Sequence, residues 1–390
     1  MMMTQELDAH IMRTYGRLPV VLERGEGVYV WDEDGKRYLD CLGGIAVNAL
    51  GHCHPAVVRA IQEQAAKLIH TSNLFHTRPQ NELADALIAT TNGVFERLFF
   101  CNSGAEANEA ALKIARKWGK ADGRNKTKIV AALGSFHGRT YGTLSATGQE
   151  KYQKPFAPMV PDFVHVPYND LDALQYAVGD DVCAVLLEPI LGESGVHPAS
   201  AQYLKYARSL CDSKDALLIF DEIQTGMGRT GDWWAYQGYG VVPDVFTTAK
   251  ALGGGLPIGA AVARGEAAQT LVPGDHGSTF AGNAVTTAAA LATIRAIEDE
   301  DLIRQASVVG DTLRRKLEHA LAGKIKEVRG AGMMLGVELR EPVAKTVVSD
   351  ALKAGLIVNA TGETTLRLLP PLILTEEQAG EAVEILAGVV

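Results

Sequence analysis

Two ionisable residues stand at the ends of apolar runs, where an amine and an acid can meet one ligand. Asp221 closes the run Ala216-Leu217-Leu218-Ile219-Phe220, and Lys250 follows Val245-Phe246-Thr247-Thr248-Ala249 just ahead of Gly253-Gly254-Gly255. A continuous apolar run that ends in a carboxylate reads as a buried parallel strand whose carboxyl end opens into a site. The glycines let the backbone turn tightly and let a flat ligand approach. A lysine amine, with an ordinary pKa of about 10.4, becomes a nucleophile only when desolvation or nearby positive charge lowers it. Taken singly, Asp221 reads as a cap carboxylate and Lys250 as a surface cation; their pairing at two strand ends makes the rest of the chain decisive.

The elements that must position them recur along the chain. Strand candidates fall at Arg97 to Asn102, Lys128 to Leu133, Asp162 to Val166, Val182 to Glu188, Leu217 to Asp221, Asp244 to Thr248 and Ile258 to Ala263, with helical or loop segments between most of them. Such alternation predicts an α/β layer with a mainly parallel, seven-stranded sheet. Phe99 to Lys113 is a strand running into an Ala-rich helix, and Ser103-Gly104-Ala105 at its start leaves free backbone N–H groups and room for a phosphate. Ser103 with Glu106 also fits a capping box that needs no ligand. After the next strand, Phe136-His137-Gly138-Arg139 sets an aromatic ring able to cover a flat ligand beside a guanidinium able to hold a carboxylate. Ser278 and Thr279 bring hydroxyls near a later helix start.

Around this layer, Gly27 to Asp40 shows two alternating runs about an Asp-Gly turn, a hairpin signal, in a segment of about 60 residues that also holds a short helical pattern. Helical periodicity runs from Asn283 to about Ala322. A strand pair is predicted over Val328 to Leu339 and Thr365 to Leu368, with a helix near Val347 to Ala354 and another starting at Thr375-Glu376-Glu377-Gln378. Two domains are therefore expected: a large α/β domain over 61–285, and a smaller α+β domain built from 1–60 and 286–390.

The 390 residues, 47% of them apolar, suffice for a sizeable core. A formal charge of -9 and the lack of any Lys/Arg run exclude a nucleic-acid surface or an anionic membrane as partner, so individually placed arginines must capture anionic substrates. The polar N-terminus and the absence of any apolar run near the roughly 20 residues of a membrane span predict a cytoplasmic protein. Five scattered cysteines suit a reducing compartment. His52-Cys53-His54 has poor ligand spacing and precedes Pro55, so no metal site is expected.

With these pieces in place, the chain from about Tyr15 to Leu369 resembles the class III, pyridoxal-phosphate-dependent ω-aminotransferases of fold type I, and among them the acetylornithine aminotransferases. Ser103 to Ala110, Phe136-His137-Gly138-Arg139-Thr140, Asp221-Glu222-Ile223-Gln224-Thr225-Gly226 and Lys250 carry the resemblance, in the family's order. It implies that Lys250 bonds covalently to pyridoxal 5'-phosphate and later shuttles a proton, and that Asp221 pairs with the ring nitrogen. Gln224 would reach the ring oxygen and Phe136 would stack on the ring. Ser103, Gly104 and Ala105 would hold the phosphate, joined by Thr279 from a second subunit, which implies a homodimer with shared active sites.

The resemblance also assigns the substrate side. Arg367 would take the α-carboxylate of glutamate or 2-oxoglutarate, and Arg139 the other carboxylate or that of an N-acylated ornithine. Glu193 would pair with Arg367 when no α-carboxylate is present, and Tyr15 and Ser278 belong among the substrate-side residues. The implied reaction moves the terminal amine of N2-acetylornithine to 2-oxoglutarate in ping-pong fashion, giving N-acetylglutamate 5-semialdehyde and glutamate, a step of arginine biosynthesis. Succinylornithine, ornithine, 4-aminobutyrate or an aminoadipate-derived donor would use the same catalytic residues, as would an aminomutase that needs no acceptor. A non-enzymatic nucleotide binder fits less well, since Lys250 precedes its glycines and no P-loop is present. The chain departs from the family at Leu191 and Ser194, where relatives commonly carry Gln and Gly around Gly192-Glu193, and at Leu368, where many carry Phe.

Overall fold

The computed structural model describes residues 10–390. The chain enters through β1 (Leu22–Glu26), β2 (Tyr29–Asp32) and β3 (Arg37–Asp40), an antiparallel meander. The predicted hairpin is β2–β3: Gly35 sits at φ +79°, and the Asp32 side chain accepts from the Lys36 amide. Among the described residues, the first helix longer than a single turn in this segment is Pro55–Ala65.

All seven strand candidates enter one sheet. They are β4 (Arg97–Cys101), β5 (Lys128–Ala132), β6 (Phe163–Val166), β7 (Val182–Leu187) and, after a short hairpin of β8 (Ile190–Leu191) with β9 (His197–Pro198), β10 (Leu217–Asp221), β11 (Val245–Thr248) and β12 (Gly259–Ala263). Their order is β4-β12-β11-β10-β7-β5-β6, and only β12 runs antiparallel to its neighbours. Every residue of β7, β10, β11 and β12 is buried, because helices cover both faces; this is why those strands read as unbroken apolar runs instead of alternating ones.

The helix Gly104–Lys120 covers one face. Ala107, Ala111, Ile114 and Trp118 recur at helical spacing and are buried, the last three in one cluster with Ile129, Leu186, Ile219 and Val245 of the sheet. The small alanines bring the helix axis close to the strands, and burial of Ile114 alone stabilises the contact by roughly 1.5–3 kcal/mol. That close approach fixes the helix N-terminus against the carboxyl ends of β10 and β11.

In the C-terminal part, β13 (Ile325–Ala331) and β14 (Met334–Leu339) form a hairpin where a single strand over Val328 to Leu339 was expected. Gly332, at φ +50°, makes the reversal, and a Cβ there would lie 2.6 Å from the Arg229 carbonyl. The remaining strands are β15 (Leu356–Ile357), β16 (Asn359–Ala360) and β17 (Thr365–Leu368), with β17 joining β14 and β16 in the sheet β13-β14-β17-β16. The helices Ala284–Asp299, Leu302–Ala320, Ala344–Lys353 and Glu376–Val389 match the periodic segments, and Thr375, the expected helix start, forms a capping box with Gln378. β15 pairs in parallel with β3, so the two ends of the chain share a sheet. On that pairing we propose the division into 61–285 and 1–60 with 286–390, although one apolar core runs through both parts.

Candidate active site

Asp221 closes β10 at 4% exposure. Its Oδ2 accepts from Asn108 Nδ2 at 2.7 Å and from His137 Nδ1 at 2.8 Å, and its Oδ1 accepts from the Ile223 amide at 3.1 Å. An ionised carboxylate only accepts, so the imidazole proton is assigned to Nδ1. Asn108 is itself fixed: its amide also donates to the His137 carbonyl at 2.8 Å, and its oxygen accepts from Thr247 Oγ1 at 2.7 Å. Sequence reasoning gave neither Asn108 nor His137 a role. The available signal was an asparagine within the apolar face of an Ala-rich helix, since a buried amide requires partners.

Lys250 follows β11 as the first residue of a short 3₁₀ turn, at φ +45°. A side chain held in the left-handed region away from glycine costs of order 1–3 kcal/mol and persists where the surroundings enforce it. Burial pushes the Lys250 ammonium below the ordinary lysine range; Glu193, Asp221 and Glu188 oppose this, and Arg367 adds to it. The glycines that follow divide their tasks. Gly254 ends the turn at φ +57° with no room for a Cβ against Thr293, whereas Gly255 lines the cavity.

A cavity of about 460 Å³ brings Asp221, Lys250, Gln224, Glu193, Ser103, Gly104, Ala105, Phe136 and Arg139 together. Ser103 caps the helix Gly104–Lys120 by accepting from the Glu106 amide at 3.2 Å, while the Glu106 carboxylate reaches back to the Asn102 amide, one residue earlier than a capping box requires. A Cβ on Gly104 would come within 2.8 Å of Ile223. The Arg139 guanidinium lies 4.0 Å over the Tyr152 ring and 5.3 Å from that of Phe136. Tyr152 therefore positions the arginine by ring stacking, a contact the sequence did not reveal.

Arg367, on β17, is fully buried behind Glu193. Its Nη1 donates to Glu193 Oε1 at 2.5 Å, to the Gly192 carbonyl at 3.0 Å and to Gln224 Oε1 at 3.3 Å; its Nε donates to Asn359 Oδ1 at 3.2 Å. Burial raises the Glu193 carboxyl, but Arg367 and Lys250 outweigh it and hold the group below its ordinary value. Leu368 is core and Leu191 is buried, so neither departure faces the cavity. Three assigned residues also lie outside it: Tyr15 is 77% exposed, Thr279 is exposed, and Ser278 accepts from Asn102 Nδ2 on the far side of that loop. His52 pairs with Asp40 and His54 with Glu300.

The donor set suits a phosphorylated pyridine aldehyde. A helix N-terminus kept bare by Gly104 can receive a phosphate. The Asp221 carboxylate is preorganised for a ring N–H, and a lysine of depressed basicity stands opposite. Arg367 Nη2 is buried without a partner, a donor left free for a substrate carboxylate.

Comparison with known proteins agrees with this geometry. The family model of class-III aminotransferases matches residues 11–390. The acetylornithine aminotransferases of Caldanaerobacter subterraneus subsp. tengcongensis and Methanocaldococcus jannaschii are 49% and 51% identical, over 97% and 94% of this chain and 97% and 92% of their own. Among solved structures, N-acetylornithine aminotransferase from Stenotrophomonas maltophilia superposes with a TM-score of 0.85 at 39% identity, covering 98% of this chain and 97% of that one. An ornithine aminotransferase from Toxoplasma gondii, whose structure reveals partial PLP occupancy at its active site, gives 0.95 at 34% identity over 99% and 93%. A match of this extent, joined to a lysine and an aspartate at neighbouring strand ends of one cavity, means that the chain belongs to the class-III, pyridoxal-phosphate-dependent aminotransferases.

Proposed function

We propose that this enzyme transfers the terminal amino group of N2-acetylornithine to 2-oxoglutarate, giving N-acetylglutamate 5-semialdehyde and glutamate. The observation that carries the reading is the pairing of a depressed-basicity Lys250 with two arginines at different depths, Arg139 at the mouth and Arg367 behind Glu193. The relatives that share about half of its residues bear that activity in their names.

When bound, pyridoxal phosphate supplies an aldehyde that takes up the amine and a ring that draws electron density from the substrate carbon. The chain's own residues then divide the work. Lys250, made less basic by burial, acts as the base that removes and returns the proton at the substrate carbon. Asp221, held by Asn108 and His137, keeps its charge toward the ring nitrogen, and Gln224 donates to the ring oxygen. Phe136 excludes water from one ring face, while Ser103, Gly104 and Ala105 receive the phosphate, with Thr279 contributed by a second copy in a homodimer.

Arg139 takes the α-carboxylate of the acylated donor and the distal carboxylate of 2-oxoglutarate. Arg367 takes the α-carboxylate of the acceptor once Glu193 swings aside; with the donor bound, the Glu193–Arg367 pair stays closed and prevents a buried, unpaired arginine charge. Tyr15 and Ser278 complete the substrate side of the assembled site. We place this reaction in arginine biosynthesis, in the cytoplasm; among the described residues no helix is long and apolar enough to cross a membrane, and the five cysteines are unpaired.

A donor panel with 2-oxoglutarate, scored by glutamate formed, tests the proposal. The expected order puts N2-acetylornithine at least about tenfold ahead of ornithine in kcat/KM, because acylation removes an α-ammonium that would stand as a like charge beside the Arg139 guanidinium, and ahead of 4-aminobutyrate as well. Preference for free ornithine or 4-aminobutyrate, or product formation without a keto acid, refutes it.

A further inference from the structure

Glu188 directly follows β7 beside the cavity and has no part in the chemistry just described. It is 5% exposed, and its two carboxylate oxygens serve two different loops. Oε2 accepts from the Phe136 amide at 2.9 Å, on the loop that presents the ring-covering aromatic and Arg139. Oε1 accepts from the Gly192 amide at 3.2 Å, on the turn between β8 and β9 that presents Glu193. The Gly192 carbonyl in turn accepts from Arg367 Nη1, and a Cβ on Gly192 would meet Gln224 at 2.3 Å, so this turn has no slack toward the site.

The Glu188 backbone is anchored as well. Tyr168 donates its hydroxyl to the Glu188 carbonyl at 2.6 Å, and Pro189 follows with a fixed φ. The side chain thus projects from an anchored backbone to two loops and leaves neither oxygen free of a backbone donor.

We propose that Glu188 is a positioning residue that locks the Phe136–Arg139 loop and the Gly192–Glu193 turn into one unit, so that ring stacking and the carboxylate gate are set together. The inference rests on the assignment of Phe136 to the cofactor and of Glu193 to the gate. Electrostatics agree with the geometry: burial pushes the Glu188 carboxyl up, His137 opposes, Asp221 adds to the rise, and the Phe136 and Gly192 amides both draw it back toward the ionised form. On balance the carboxyl is pushed up to about 7, with His137 and then the two amides holding the rise down.

Glu188→Gln tests the lock. A glutamine keeps the shape but offers one acceptor oxygen, and its NH2 faces an amide donor, so one loop loses its anchor whichever way the side chain flips. Two readouts are taken on the holoenzyme: the visible circular dichroism of the bound cofactor, which reports ring stacking, and the KM for 2-oxoglutarate, which reports the gate. Because the NH2 repels the amide it faces and shifts the one side chain that also holds the other loop, both are expected to move: the dichroic band by about half, and KM by about tenfold with kcat changed by less than about threefold. Glu188→Asp, shorter by one methylene, serves as the second variant, is expected to move both readouts in the same direction, and decides the matter alone if the glutamine variant yields no holoenzyme.

A change in only one readout, or in neither, overturns the proposal, since independent loops or a merely space-filling carboxyl would give those results. A failed donor panel on the unsubstituted enzyme would instead refute the substrate reading and leave this test standing, because the KM for 2-oxoglutarate is then read with whichever amine donor the panel shows to be turned over.

Discussion

Replacing Asn108 with alanine is the sharpest probe of how Asp221 is held. The substitution removes three hydrogen bonds at once from a fully buried position: a charge-assisted one to Asp221, one to the His137 carbonyl and one from Thr247. A neutral bond of this kind contributes about 0.5–1.5 kcal/mol and a charge-assisted one about 1.5–3, so the expected loss is about 2.5–6 kcal/mol. Urea titration of the apoprotein reads it as a fall in midpoint at unchanged slope. Part of the loss comes from the orphaned Thr247 hydroxyl, and adding Thr247→Val to the alanine variant should restore about 1 kcal/mol. In the holoenzyme, kcat should fall at least about tenfold with the donor KM little altered, because Asp221 then has only His137 and the Ile223 amide to orient it. A stability loss below about 1 kcal/mol, or a further loss on adding Thr247→Val, would refute the network as the support of Asp221.

Two other substitutions bear on the same cavity. Lys250 is less basic in the fold than in the unfolded chain, so between the two pKa values the unfolded state binds the extra proton and stability rises with pH. Apoprotein carrying Lys250→Met should therefore be more stable than the unsubstituted apoprotein at about pH 7 and lose that advantage as pH approaches the unfolded lysine value of about 10.4, as read by urea midpoints at each pH. Gly104→Ala sets a methyl 2.8 Å from Ile223 Cδ1 and should weaken pyridoxal phosphate binding about tenfold in an absorbance titration, with partial recovery when Ile223→Val is added.

Local chemistry made much of the fold legible. Buried parallel strands are unbroken apolar runs, so Leu217 to Asp221 and Val245 to Thr248 stood out, and with them the two strand ends that carry the acid and the amine. The Asp-Gly turn of the β2–β3 hairpin and the Thr375 cap were likewise set by residues within a few positions of one another. The β13–β14 hairpin was not, because Gly330-Ala331-Gly332 carries no Asn-Gly or Asp-Gly turn signal, and Gly332, pressed against the Arg229 carbonyl, makes the reversal.

The resemblance supplied roles for Arg139, Arg367 and Glu193, but not what keeps them in place. Asn108 meets Asp221 across 113 residues of chain, Glu188 meets Phe136 across 52, and Arg367 meets Glu193 across 174. No periodicity in the sequence encodes such meetings; they exist because a small-residue helix packs close to the sheet and because β7, β10 and β17 end near one cavity. The sequence alone determined which residues could do the chemistry, through types and local spacing. Tertiary packing decided which carboxylate is held ionised, which arginine is buried behind a gate, and which loops must move together, since burial and long-range hydrogen bonds arise only once distant segments meet.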